Sequence, residues 1–353
     1  MSMIEDFLRS MHLRNGSDLH VIAGDPPRMR VNGDLITVQN QKLDPEELRT
    51  ELAALMSKTA LEQFNRHDAA DFAHTIPDVA RFRVNVFRHL NGVGAVFRSI
   101  PAKALTLEQL NMPKAVHELS RANRGLILVT GKTGSGKSTT LAAVIDAINS
   151  RLKGHIITIE DPIEFVHQRK LCLISQREVG VHSPSFSAAL HSALREDPDA
   201  ILVGELRDLE TMSIAMTAAE MGILVMGTLH TNGAAATIDR VVNIFPADKQ
   251  DHVRNMLSTS LRGVISQQLL KKKDGSGRVA ALEILVNTPA VANLIRQGKL
   301  EQLENVMQSS ASTGMCTMDS SLKKLLDDGM ISGQEAYLQA FDKTKFEQYK
   351  DIA

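Results

Sequence analysis

Eight consecutive residues, Gly131-Lys132-Thr133-Gly134-Ser135-Gly136-Lys137-Ser138, have the spacing of a loop that holds phosphate groups. The glycines (Gly131, Gly134 and Gly136) let backbone N–H groups converge on an anion. The helix expected from Thr139 to Leu152 would add roughly half a positive charge at its N-terminus. Thr133, Ser135 and Thr139 complete the expected nucleotide-binding stretch. Lys137 is placed to reach β- and γ-phosphates, and Ser138 to offer its hydroxyl to Mg²⁺. The pattern points to binding and hydrolysis of MgATP. Lys132, inside the loop, reads as a solvated lysine.

Two acidic clusters follow apolar runs. Glu160-Asp161-Pro162-Ile163-Glu164 comes after Ile156–Ile159, and Gly204-Glu205 comes after Ala200–Val203. In an open α/β sheet the ligand sits at the carboxyl ends of the strands. A phosphate site needs one carboxylate on the metal side and another to orient or deprotonate water. Ser138, Glu205 and Glu160 are therefore the expected oxygen donors for Mg²⁺, and Glu164 and Glu205 the expected catalytic carboxylates. His230, beyond the run Leu224–Leu229, stands at another strand end, where an imidazole can sense or polarise a terminal phosphate.

The elements that must position these groups can be read from the periodicity. Leu126–Val129, Ile156–Ile159, Ala200–Val203 and Leu224–Gly227 are short continuous apolar runs, as a parallel sheet covered on both faces requires. The predicted second domain, 124–353, is thus an α/β phosphate-loop domain with a mostly helical portion from about Asp239, interrupted by a charged hairpin at Lys271–Arg278. The first domain, 1–100, reads as α+β. Ile4, Phe7, Leu8 and Met11 have helical spacing, Asp18–Ile22 and Arg28–Val31 read as strands, and Asn32-Gly33 is a hairpin signal. Asp44-Pro45 should open a helix running to about Ser57. Arg81–Arg88 alternates as a strand, with Gly94–Ser99 as its partner. Residues 101–123 read as a linker with a short helix.

Composition excludes several classes. With 353 residues, 43% apolar and 23% charged, the chain is an ordinary globular protein of more than one domain. A formal net charge of -1 argues against a nucleic-acid partner. Cys172 and Cys316 are too few and too far apart for a metal cage or a disulfide framework, which fits the cytoplasm. No apolar run is long enough to span a bilayer, and residues 1–10 do not form a secretory signal.

Four stretches carry a resemblance. Gly131–Leu141 (GKTGSGKSTTL), Ile159–His167 (IEDPIEFVH), Leu194–Asp208 (LREDPDAILVGELRD) and Gly227–Asn232 (GTLHTN) resemble, in order and spacing, the secretion ATPases that drive type IV pili and type II secretion. Gly16-Ser17-Asp18-Leu19-His20 and Arg81-Phe82-Arg83 are similar to the retraction motors of the PilT and PilU type. The resemblance implies a PAS-like N-terminal domain, a RecA-like ATPase domain and a homohexameric ring. It also implies a platform protein in the inner membrane as partner, a paralogous retraction ATPase as a second partner, and a cytoplasmic location peripheral to that membrane. It casts Glu164 as activator of water, Glu205 as support for Mg²⁺, His230 as the remaining residue of a histidine box, and Arg81, Arg83 and Arg98 as arginines that reach the phosphates.

Three positions depart from that pattern. Lys132 stands where a small residue is usual, Gly222-Ile223-Leu224 lacks the first histidine of the box, and Ala290-Val291-Ala292 replaces an Ala-Ile-Arg signature, which makes that end more PilU-like. The absence of a four-cysteine zinc insertion favours retraction over assembly. An assembly or type II secretion motor of the same fold, a RecA-like nucleic-acid motor and a nucleotide-binding regulator without a power stroke are the alternatives.

Overall fold

The computed structural model of the protein describes residues 2–31, 33–100 and 104–350. Asn32 of the hairpin signal and Pro101 to Lys103 of the expected linker lie outside the described residues. The chain divides into two compact units, Met1–Lys103 with Glu164–Val166, and Ala104–Ile163 with His167–Ala353.

The first unit contains α1 (Met3–Leu13), β1 (Asp18–Ile22), β2 (Arg28–Val31), β3 (Asp34–Thr37), α2 (Pro45–Leu55), α3 (Lys58–His67), β4 (Ala69–Ile76), β5 (Ala80–His89) and β6 (Gly92–Ile100). Among the described residues it holds one sheet of six strands in the order β3-β2-β1-β6-β5-β4, with every neighbouring pair antiparallel. The helical stripe on α1 buries Ile4, Phe7, Leu8 and Met11. Strand β5 buries Phe82, Val84 and Val86, so alternation turns Arg81 and Arg83 to the other face. At the start of α2, Asp44 accepts the N–H groups of Glu46 and Glu47, and Pro45 occupies the first helical position. The helix ends at Leu55, two residues short of the expected Ser57. Helix α3 and strand β4 were not legible as elements in the sequence.

The second unit opens with α4 (Lys114–Ser120), β7 (Gly125–Thr130), α5 (Lys137–Asn149), β8 (His155–Glu160), β9 (Leu173–Glu178), α6 (Phe186–Ala193), β10 (Ala200–Val203), α7 (Leu209–Glu220) and β11 (Leu224–Leu229). It continues with α8 (Ala234–Asn243), α9 (Gln250–Ser260), β12 (Leu261–Lys271), β13 (Arg278–Val286), α10 (Pro289–Gln297), α11 (Leu303–Ser309), α12 (Met318–Asp327) and α13 (Gly333–Gln339). The sheet order is β13-β12-β7-β11-β10-β8-β9; its pairs are parallel except β12 with β13. Strand β7 lies inside this sheet. Leu126 and Leu128 pack into the core on one face, and Ile127 and Val129 into the core on the other. A continuous apolar run is the sequence that such a position demands.

Two expectations need correction. Residues 104–123 are not a linker, because Leu107, Met112, Ala115, Val116 and Leu119 are buried in the core of the second unit. The mostly helical region after Asp239 also holds two long strands, since β12 and β13 extend the expected hairpin into a long antiparallel pair. Ser266, Gln267 and Glu283, all buried, interrupt the apolar runs and hide these strands from a hydrophobicity reading.

Glu283 ties two of the later helices together. It accepts the Ala234 N–H at 2.6 Å, at the start of α8, and the Met318 N–H at 3.1 Å, at the start of α12. Burial pushes its carboxyl above the ordinary value, although both N–H groups pull the other way.

Candidate phosphate site

The four parallel strands β7, β11, β10 and β8 are neighbours in that order, so their carboxyl ends share one edge of the sheet. Adjacent strands are about 4.8 Å apart. That edge carries, in sequence from β7 to β8, the glycine-rich loop, His230, Glu205 and Glu160.

The loop leaves β7 at Thr130 and enters α5 at Lys137. Gly131 and Gly136 adopt positive φ angles of 139° and 90°. Neither could carry a side chain, since a Cβ on Gly131 would lie 2.3 Å from the Gln267 carbonyl oxygen, and one on Gly136 2.7 Å from Gln267 Nε2. Lys137 is buried and donates from Nζ to the carbonyls of Gly131 at 2.8 Å and Lys132 at 3.1 Å. The ammonium is thereby held against the loop, where a phosphate would need it. Lys132 itself is exposed, as are Thr133 and Gly134, while Ser138 and Thr139 are half-buried at the helix start. The hydroxyl of Ser135 is buried and has no hydrogen-bond partner among the described residues. A buried orphan hydroxyl inside a glycine-lined loop is a group made to meet a polar ligand.

The exit from β10 is tied to both of its neighbours. The Gly204 N–H donates to Ile159 O at 2.7 Å, the Leu206 N–H donates to Thr228 O at 3.0 Å, and the Thr228 hydroxyl donates to Gly204 O. Glu205 is therefore held on a short, braced segment. Its Oε1 lies 2.5 Å from Arg207 Nε and 3.3 Å from His230 Nε2. Burial raises its pKa, but Arg207 and His230 together outweigh burial and hold the carboxyl below the ordinary range. Glu205 is thus an anion at neutral pH. Glu160, buried at the end of β8, accepts from Thr158 Oγ1 at 2.7 Å and Gln176 Nε2 at 3.3 Å.

The remaining expected site residues, Glu164, Arg81, Arg83 and Arg98, belong to the first unit. Arg83 and Arg98 are cross-strand partners, and Arg98 in turn is paired with Asp18 and Asp18 with Arg30, giving one row across four strands. Asp18 is buried in that row and binds Arg98 Nε at 2.8 Å. Burial raises the Asp18 carboxyl, but its bonds to Arg98 and Ser17 lower it below the ordinary value. The family resemblance singled out the arginines, but it could not show that Asp18 orients one of them.

His167, three residues after Glu164, carries a strong shift. Burial pushes its imidazole down to about 4, against the pull of Asp146. The folded form holds it neutral, while the unfolded chain titrates near 6.5. Stability from this group is complete above pH 6.5 and is lost as pH falls from 6.5 toward 4. In urea titrations at pH 7.5 and 5.0, wild type should lose about 1–2 kcal/mol more than His167→Gln does. Equal losses would remove the assignment.

The profile of the type II/IV secretion system protein family matches residues 1–337. The chain is 52% identical over 333 residues to the type IV pilus retraction ATPase PilT of Pseudomonas aeruginosa, covering 94% of this chain and 96% of that protein. It is 42% identical to the type IV pilus ATPase PilU of the same organism, covering 95% and 88%. A crystal structure of the pilus retraction motor PilT with bound ADP superimposes with a TM-score of 0.92 at 44% identity, covering 99% of both chains. A phosphate loop, an acidic strand edge and a fold shared along the whole length agree, and the chain belongs to the type II/IV secretion system protein family.

Proposed function

We propose that this chain is a P-loop ATPase that drives retraction of type IV pili. The observation that carries the reading is the sheet edge on which the glycine loop, Lys137, His230 and anionic Glu205 follow one another. The whole-length similarity to a retraction ATPase supports it.

In the proposed site, loop N–H groups and Lys137 bind the phosphates, with Thr133, Ser135 and Thr139 completing the cradle. Ser138, Glu205 and Glu160 present only oxygen donors, which suits a hard divalent cation such as Mg²⁺. Bound there, the metal would neutralise charge on the terminal phosphates. His230, linked to Glu205, is suited to report the state of the γ-phosphate. Glu164 as the group that takes a proton from water, and Arg81, Arg83 and Arg98 as cationic stabilisers, are assigned by the resemblance. The motor would work as a cytoplasmic homohexamer acting on an inner-membrane platform protein, alongside a paralogous ATPase and without nucleic acid. No helix among the described residues is long and apolar enough to cross a membrane.

The test joins biochemistry and physiology. Purified protein should release phosphate from ATP only with Mg²⁺, and deletion of its gene should leave cells with excess surface pili that no longer retract. Bald cells would instead assign it to pilus assembly. DNA-stimulated hydrolysis would assign it to a nucleic-acid motor.

A further inference from the structure

We infer that Gln267, on the neighbouring strand β12, is a positioning residue that sets the orientation of the phosphate loop; the inference rests on the phosphate-binding reading above. Pairing of β7 with β12 runs as far as Thr130 against Ser266. One residue further on, the loop begins at Gly131 while β12 continues through Gln267, whose backbone stays registered with Leu282 on β13. Gln267 is therefore anchored on the far side of the loop by a long antiparallel pair, and its side chain is buried.

Both ends of its amide are used. Nε2 donates to the Ser135 carbonyl at 2.7 Å, and Oε1 accepts the Thr140 hydroxyl at 2.6 Å. The first bond fixes a peptide plane. In a trans peptide the C=O and the following N–H point in opposite directions. With the Ser135 carbonyl turned toward Gln267, the Gly136 N–H is turned away from β12. That N–H immediately precedes Lys137 at the helix start, where backbone donors bind phosphate oxygens. The second bond ties the same amide to the first turn of α5, so loop and helix are aligned to one strand. The two glycines closest to Gln267 complete the fit, since Cβ atoms on Gly131 and Gly136 would collide with its carbonyl and its amide nitrogen.

Gln267→Glu keeps the size and the acceptor for Thr140 but sets an oxygen against the Ser135 carbonyl. Gln267→Leu removes both bonds. Losing a buried hydrogen bond of this kind should weaken MgADP binding about tenfold to a hundredfold in each variant. KM for MgATP should rise by a similar factor, with kcat changed about threefold or less, because the cradle serves ground state and transition state alike. Ile284→Val, which trims a buried side chain on β13, is the comparator for stability loss alone. It should lower the melting temperature and leave MgADP affinity within about twofold of wild type. The full-length proteins are compared by calorimetric titration with MgADP and by melting with and without it. If both Gln267 variants bind MgADP as Ile284→Val does, the role of Gln267 is overturned while the phosphate-site reading stands. If wild type itself does not bind MgADP, both are overturned.

Discussion

Replacing Lys137 with alanine is expected to lower kcat/KM for ATP by roughly a thousandfold, the largest effect of any single substitution in the site. The side chain is buried at the loop, and its ammonium bridges the Gly131 and Lys132 carbonyls. It is thus a preset point charge, placed before any nucleotide arrives. Charge builds on the terminal phosphate oxygens during transfer, and a fixed cation in a poorly hydrated site is worth far more there than in water. Of the two carbonyls left behind, that of Lys132 lies in an exposed stretch and that of Gly131 is buried, so the fold should persist with a modest loss of stability and the circular dichroism spectrum should match wild type. Phosphate release within tenfold of wild type would show that the loop is not the hydrolytic site.

The second large effect is expected for Glu205→Gln, which should reduce turnover about a hundredfold or more while MgADP still binds. The substitution keeps the shape and removes the charge. Wild-type Glu205 is held ionised by Arg207 and His230 despite its burial. A neutral amide leaves Arg207 and His230 without their carboxylate partner and deprives the metal side of the site of a charged oxygen ligand. The Mg²⁺ concentration for half-maximal rate should therefore rise together with the fall in kcat. A variant with unchanged Mg²⁺ dependence would leave Glu205 as a structural partner of His230 only.

Most of the candidate site's strand edge was legible in the sequence because its pieces are local. Each strand end is followed at once by its candidate residue, as in Val203-Gly204-Glu205 and Leu229-His230, and the parallel order places them on one edge. What was not legible depends on contacts across long separations. Gln267 meets Ser135 across 132 residues, and Asp18 meets Arg98 across 80. No local pattern marks such pairs. Glu164 was grouped by sequence with its neighbours on the β8 exit, yet it clusters with the first unit. The Ala290-Val291-Ala292 triplet makes that end more PilU-like, whereas whole-chain identity is higher to PilT, at 52%, than to PilU, at 42%. Cys172 and Cys316 are respectively buried and half-buried free thiols, as their isolation implied.

The carboxylate of Glu283 has a mechanical consequence. It begins two helices at once, one leaving the turn after His230 and the other opening the C-terminal group packed around Phe346. Pulling either helix tip away would strand a buried carboxyl group with half its donors. A force applied to the C-terminal group would therefore travel to the histidine turn along two hydrogen bonds that share one carboxyl group, as through a tie-rod.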